Sequence, residues 1–108
     1  MQLGRLTSIA ASAIHLETRR LAQSAANVAN LNTENYEPQH VTGRAAAQGG
    51  VEAVTYTRGG GLQPTAASGT DLVEETATQI GGLRAFQANL AVLRTADEML
   101  GELVKRTA

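Results

Sequence analysis

Two segments of this chain, Leu3 to Leu31 and Asp71 to Val104, carry apolar residues three and four apart over many turns, and no long periodic run lies between them. That spacing belongs to amphipathic helices. The polypeptide must therefore place a long helix at each end and settle what those helices pack against. At 108 residues it forms one domain at most. Its only aromatics are Phe86, Tyr36 and Tyr56, so it lacks the large side chains that usually fill a globular core. Ala-rich helices can bring their axes close together, but a chain this small needs a partner surface to bury enough area. Self-association, or a place in a larger assembly, is the expectation.

Charge and composition exclude several function classes. Nine basic side chains against ten acidic ones leave no basic stripe, so no nucleic-acid partner is expected. The absence of Cys removes disulfides, thiol catalysis and Cys-type zinc sites. No run of about 18 apolar residues is present to cross a membrane. The start of the chain has no signal-peptide pattern, so exit from the cytoplasm would need another route.

In the first segment, Leu3, Ala10, Ile14, Leu21, Val28 and Leu31 fall on a heptad-like seam, with Thr7, Glu17 and Ser24 at its other positions. Such spacing favours helix packing at a shallow angle. Arg19, Arg20 and Gln23 occupy the opposite face. Asn27, Asn30, Asn32, Thr33 and Asn35 then cluster, and Asn competes for backbone hydrogen bonds, so the helix should stop near Asn30 to Thr33. Pro38 reinforces that stop. Two short strands are expected next, Gln39 to Ala46 and Val51 to Arg58, turning at Gly49-Gly50. Gly59-Gly60-Gly61 and Pro64 to Gly69 read as linker. A lone hairpin is barely stable in water, so this one must lean on the helices or on a neighbour.

The last segment is the most helical. Thr70 or Asp71 can cap it, with Glu74 placed for a capping box. Glu74 and Glu75 suit the positive end of the helix dipole, Lys105 and Arg106 the negative end. Val73, Ile80, Leu83, Phe86, Leu90, Leu93, Leu100 and Val104 form one apolar set, and Val92, Ala96, Met99 and Leu103 a second stripe. Two stripes exceed what one antiparallel partner needs. Gly81-Gly82 costs about 1 kcal/mol per Gly in a helix, a cost that a close approach of axes or a bend would explain.

The run Ala26-Asn27-Val28-Ala29-Asn30-Leu31-Asn32-Thr33-Glu34-Asn35-Tyr36 resembles the Ala-Asn-x-x-Asn-x-Asn-Thr-x-x-Tyr signature of bacterial flagellar rod and hook proteins. Asp71-Leu72-Val73-Glu74-Glu75, Arg84-Ala85-Phe86-Gln87-Ala88-Asn89 and Thr95-Ala96-Asp97-Glu98-Met99-Leu100 resemble the other half of it. Glu34-Asn35 stands where Pro-Gly is common, and Asn35 can adopt the left-handed conformation a Gly would supply. The resemblance is greatest to the small proximal-rod type. It implies a mainly α fold in which two long terminal helices pair as an antiparallel, coiled-coil-like hairpin, with a short β-hairpin and Gly-rich linker between. Residues 1–33 and 70–108 would then form the axial core and residues 34–69 the insert.

Function follows from the same resemblance: a structural subunit of the flagellar basal-body rod, polymerising through its terminal helices. Its partners would be itself, other rod subunits and the flagellar type III export apparatus. It would reach the periplasmic rod without a cleaved signal peptide. The assembly interface expected is Leu21, Asn27, Val28, Asn30, Asn32, Ile80, Leu83, Phe86, Asn89, Leu90, Leu93, Met99 and Leu100. For Asn27, Asn30 and Asn32, capping the helix is an equal alternative. For Phe86 and Leu90, intrachain core is the favoured one. For Arg84 and Asp97, inter-subunit salt bridges are one reading and a solvated surface pair is the favoured one. The competing function is a cytoplasmic helical-hairpin module that oligomerises or binds a partner protein. His15 and His40 have no companion ligands, Gly59-Gly60-Gly61 lacks the setting of a phosphate loop, and no Ser–His–acid arrangement exists. No catalysis, cofactor, metal or small-molecule substrate is therefore expected.

Overall fold

The computed structural model describes residues 2–57 and 68–107, with the side chains of residues 2 and 3 excepted. The linker expected at Gly59-Gly60-Gly61 and from Pro64 as far as Ala67, the strand end expected at Arg58, and the side chain of Leu3 lie outside the described residues. The order of elements is α1 (Gln2–Ala29), β1 (Gln39–Ala45), β2 (Val51–Thr57) and α2 (Leu72–Thr107). Asn27 meets Glu75 and Leu21 meets Gly82, so the two helices run antiparallel. Both rise about 1.5 Å per residue, which brings the start of α1 level with about residue 100 of α2. The last turns of α2 project past it. The molecule measures 68 × 26 × 14 Å with a radius of gyration of 18.4 Å, against about 13 Å for a compact chain of this length. It is a rod.

Local chemistry sets the boundaries. After α1 the backbone tightens through bonds from Asn30 N to Ala26 O, Leu31 N to Val28 O and Thr33 N to Asn30 O. Asn35 takes φ 60°, the left-handed conformation expected of it, and Tyr36 follows. Asp71 caps α2: its Oδ1 accepts from the backbone N–H groups of Val73 at 3.0 Å and Glu74 at 3.3 Å.

The strands pair antiparallel from Gln39↔Thr57 to Ala45↔Val51. Gly49 and Gly50 turn them with φ of 98° and 79°, values open to Gly at no steric cost. Gly50 also lies so close to α1 that a Cβ there would stand 2.5 Å from Ser12 Oγ. Among the described elements the hairpin rests on α1 and not on α2, and it is fixed at three points along α1. Val51 N donates to Ser12 Oγ (3.1 Å), Arg20 Nε donates to Val41 O (3.2 Å), and Asn27 bonds both backbone groups of Gln39.

The interior departs from the apolar seam expected. Among the described residues the buried apolar side chains are Ala10, Leu16, Val41 and Ala96, while Glu17, Ser24, Asn27, Thr70 and Glu75 are buried polar ones. Glu17 and Ser24, the polar interruptions of the α1 heptad, face inward. On α2 the buried residues are Glu75, Gly82 and Ala96, all small except the Glu. At Gly82 a Cβ would sit 3.3 Å from Leu21 Cδ2 and 3.4 Å from Glu17 Oε2. The glycine therefore serves a close approach of helix axes.

Candidate functional site: a polar junction and bare apolar flanks

Asn27 is 1% exposed and joins every part of the closed end. Its Nδ2 donates to Gln39 O at 2.7 Å and to Glu75 Oε1 at 2.9 Å. Its Oδ1 accepts from Tyr36 OH at 3.0 Å, and from Gln39 N and Gln23 Nε2, each at 3.2 Å. Its backbone carbonyl accepts from Thr70 Oγ1 at 3.0 Å. One side-chain amide thus binds the backbone of β1 as a neighbouring strand would, and holds α2 through Glu75. Ser24 Oγ donates to Glu75 O (3.3 Å) and accepts from Gln79 Nε2 (3.2 Å). Gly69 N donates to Tyr36 O (2.9 Å) and ties the approach to α2 to the end of the Asn-rich turn. Buried polar groups are stabilising only when satisfied in this way.

Two turns from Ser24 along α1, Glu17 Oε1 accepts from Arg20 Nη1 at 2.8 Å. Glu17 Oε2 is buried without a hydrogen-bond partner, beside Gly82. Next to this junction lies a polar cleft of about 300 Å³ between hairpin and α2, lined by Arg20, Gln23, His40, Tyr56, Thr78 and Gly81, among others. The rings of His40 and Tyr56 are tilted against each other, centroids 5.6 Å apart. Among the described residues no group of three or more His, Cys, Asp or Glu is placed to hold a metal ion.

The residues expected at an assembly interface divide by environment. Asn27 is the buried junction. Leu21, Val28, Asn30, Phe86, Asn89 and Leu93 are half-buried. Two of these bond within their own helices, Asn30 Nδ2 to Ala26 O and Asn89 Nδ2 to Ala85 O, each at 2.9 Å. Asn32, Ile80, Leu83, Leu90, Met99 and Leu100 are exposed. Val73, Val92, Leu103 and Val104 are also bare on α2. The junction residues that sequence reasoning passed over are Glu17, Ser24, Tyr36, Gln39, Thr70 and Glu75. For Glu17 and Ser24 a signal existed, since both fall on the strict seven-residue repeat through Ala10 and Leu31. For Glu75 none did, because its position in the first turn of α2 is explained by the helix dipole alone.

Residues 65–106 match the family model described as flagellar basal body rod FlgEFG protein C-terminal. The match covers the whole of α2 up to its last residue and includes every exposed apolar side chain of that helix. No curated protein matches the chain. No helix among the described residues is long and apolar enough to cross a membrane. The match over α2 supports the flagellar rod family broadly, a family of structural proteins.

Proposed function

We propose that this chain is a structural subunit of the bacterial flagellar basal-body rod, and that it polymerises through its terminal helices into the axial tube. The observation that carries this reading is the coincidence, on one helix, of the rod-family match with large apolar side chains left in water. The chain exposes 7445 Å², where a compact monomer of its mass would expose about 5,700 Å². At roughly 25 cal/mol per Å² of apolar surface, burial against neighbours favours assembly once several contacts form together. The partners proposed are other copies and other rod subunits. The proposed route to the periplasmic rod is the flagellar export apparatus, without a cleaved signal peptide. The Asn27 junction supports the same role. It fixes the helix pair and the hairpin as one body that can be added to a growing end without refolding.

The experiment is localisation. Expressed in a flagellated bacterium, the epitope-tagged chain should copurify with hook–basal bodies and should leave the cytoplasm only when the export apparatus is intact. Deleting α2 from Leu90 onward should abolish incorporation. Retention in the cytoplasm of an otherwise motile cell would favour a helical-hairpin module that binds a soluble partner and would overturn the rod reading.

A further inference from the structure

At about 100° per residue, six exposed apolar side chains of α2 form two groups on different sides of the helix, while Leu72 and Leu90 lie at the edge of the first group and Leu100 and Val104 lie on the α1 side of α2, level with and beyond the start of α1. Taking Val73 as zero, Ile80 and Leu83 lie at about 340° and 280°, while Val92, Met99 and Leu103 lie at about 100°, 80° and 120°. The buried residues Gly82 and Ala96, which face α1, lie between the groups at about 180° and 140°. The groups also occupy different heights. The first sits in the N-terminal half of α2, the second in the C-terminal half. Their internal spacings nearly repeat, seven residues then three in the first and seven then four in the second. Val73 and Val92 are nineteen residues apart, as are Ile80 and Met99, and Leu83 and Leu103 are twenty apart.

From this correspondence we infer that α2 of one copy docks its Val73–Ile80–Leu83 flank on the Val92–Met99–Leu103 flank of a second copy. The helices run parallel, with an axial offset of about 28 Å, nineteen residues at 1.5 Å each. The inference rests on the proposed function and names the surface that function would use. Three further observations favour a second copy as the occupant. The surface in excess of a compact monomer, about 1,700 Å², matches two interface halves of about 800 Å² each, which is what a subunit carrying one donor and one acceptor flank would cover. Parallel docking also puts Arg84 of one copy and Glu102 of the next on the same rim of the contact, both at about 20° on the wheel. Those two residues are eighteen positions apart in the chain, one short of the offset. Finally, the two flanks differ and face directions about 130° apart, so the contact is heterologous. A heterologous contact with an axial shift propagates as an open helical polymer and does not close into a dimer.

The chain has no Cys of its own, so disulfide trapping in the full-length protein reads this geometry directly. Ile80→Cys and Met99→Cys variants are oxidised separately and as an equimolar mixture at concentrations where the wild type self-associates. The expected result is little dimer from either alone, a strong dimer band from the mixture, and a ladder from the double variant. Val73→Cys with Val92→Cys should also link, whereas Ile80→Cys with Val92→Cys, about 10 Å out of register, should not. Arg84→Glu should cut the mixed dimer several-fold and Glu102→Arg added to it should restore it. Self-linking of Ile80→Cys, or links that ignore register, would overturn the inference while leaving the rod role intact. A wild type that sediments as a monomer at millimolar concentration also overturns it, and the rod role then stands or falls on localisation.

Discussion

The inward face of α2 gives its most buried positions to small and polar residues, with Phe86 and Leu93 half-buried beside them, while the outward face leaves large apolar side chains in water. Inward lie Glu75, Gly82 and Ala96; outward, Val73 is 79% exposed and Ile80 52%. A lone two-helix protein would put its leucines between the helices and its carboxylates in water, because apolar burial is the main favourable term in folding. Here the inner contact supplies geometry. Small residues bring the axes together and a hydrogen-bond network sets the register between Asn27 and Glu75. The outer faces hold the side chains whose burial would yield the most energy. Folding and assembly thereby use different surfaces, and a subunit can be correctly shaped before it is stably embedded.

The largest test breaks the inner face. Asn27→Leu leaves the Glu75 carboxylate, both backbone groups of Gln39 and the Tyr36 hydroxyl without their shared partner. An unsatisfied buried group costs about 1–3 kcal/mol, more when charged, so a loss of about 3 kcal/mol or more is expected. Against the 5–15 kcal/mol typical of a domain, that should shift the urea midpoint of the far-ultraviolet helix signal far downward. An unchanged midpoint would mean that the junction is ornamental and that the helices hold each other by other means.

Adjacent glycines sharpen the comparison, since one faces α1 and the other does not. Gly82→Leu forces a side chain against Leu21 and Glu17 and should cost about 1–3 kcal/mol through overpacking. At Gly81 a Cβ would meet nothing within 4 Å, so Gly81→Ala should stabilise the chain by up to about 1 kcal/mol through helix propensity. Thermal melts of the two variants at equal concentration should move in opposite directions. If both rise, the close approach at Gly82 does not constrain the helix pair.

How much of this was legible in the sequence depends on the range of the interaction. The helix bounds, the positive φ at Gly49 and Gly50, the left-handed Asn35 and the Asp71 cap all follow from a few neighbouring residues, and periodicity or turn chemistry finds them. The inverted seam does not. Heptad logic assigns the interior to the largest apolar side chains and reads Glu17 and Ser24 as interruptions of the Ala10–Leu31 repeat. Their burial depends on partners 51 or more positions away, Glu75 and Gln79 for Ser24 and Gly82 for Glu17. A spacing rule has no access to such pairings. The two apolar stripes of α2 were visible, and so was the excess over one partner's needs. Both keep bare members, because α1 settles on the side of α2 where Gly82 and Ala96 are buried.

The smallest effect on the single chain is expected from the outer face, and this makes it the most informative. Met99→Glu changes a side chain that is 54% exposed on a turn of α2 near the start of α1. Substitutions at such positions usually stay within about 0.5 kcal/mol, so the melting temperature of the dilute monomer should hardly move. Self-association by sedimentation, and incorporation into basal bodies, should nonetheless be lost, because the charge would have to be buried unpaired against a neighbour's apolar flank. A variant that folds as well as the wild type yet fails to assemble would separate the two faces experimentally. Should it assemble normally, the exposed leucines and valines are not the surface that joins subunits, and the polar cleft beside His40 and Tyr56 becomes the better place to look for a neighbour.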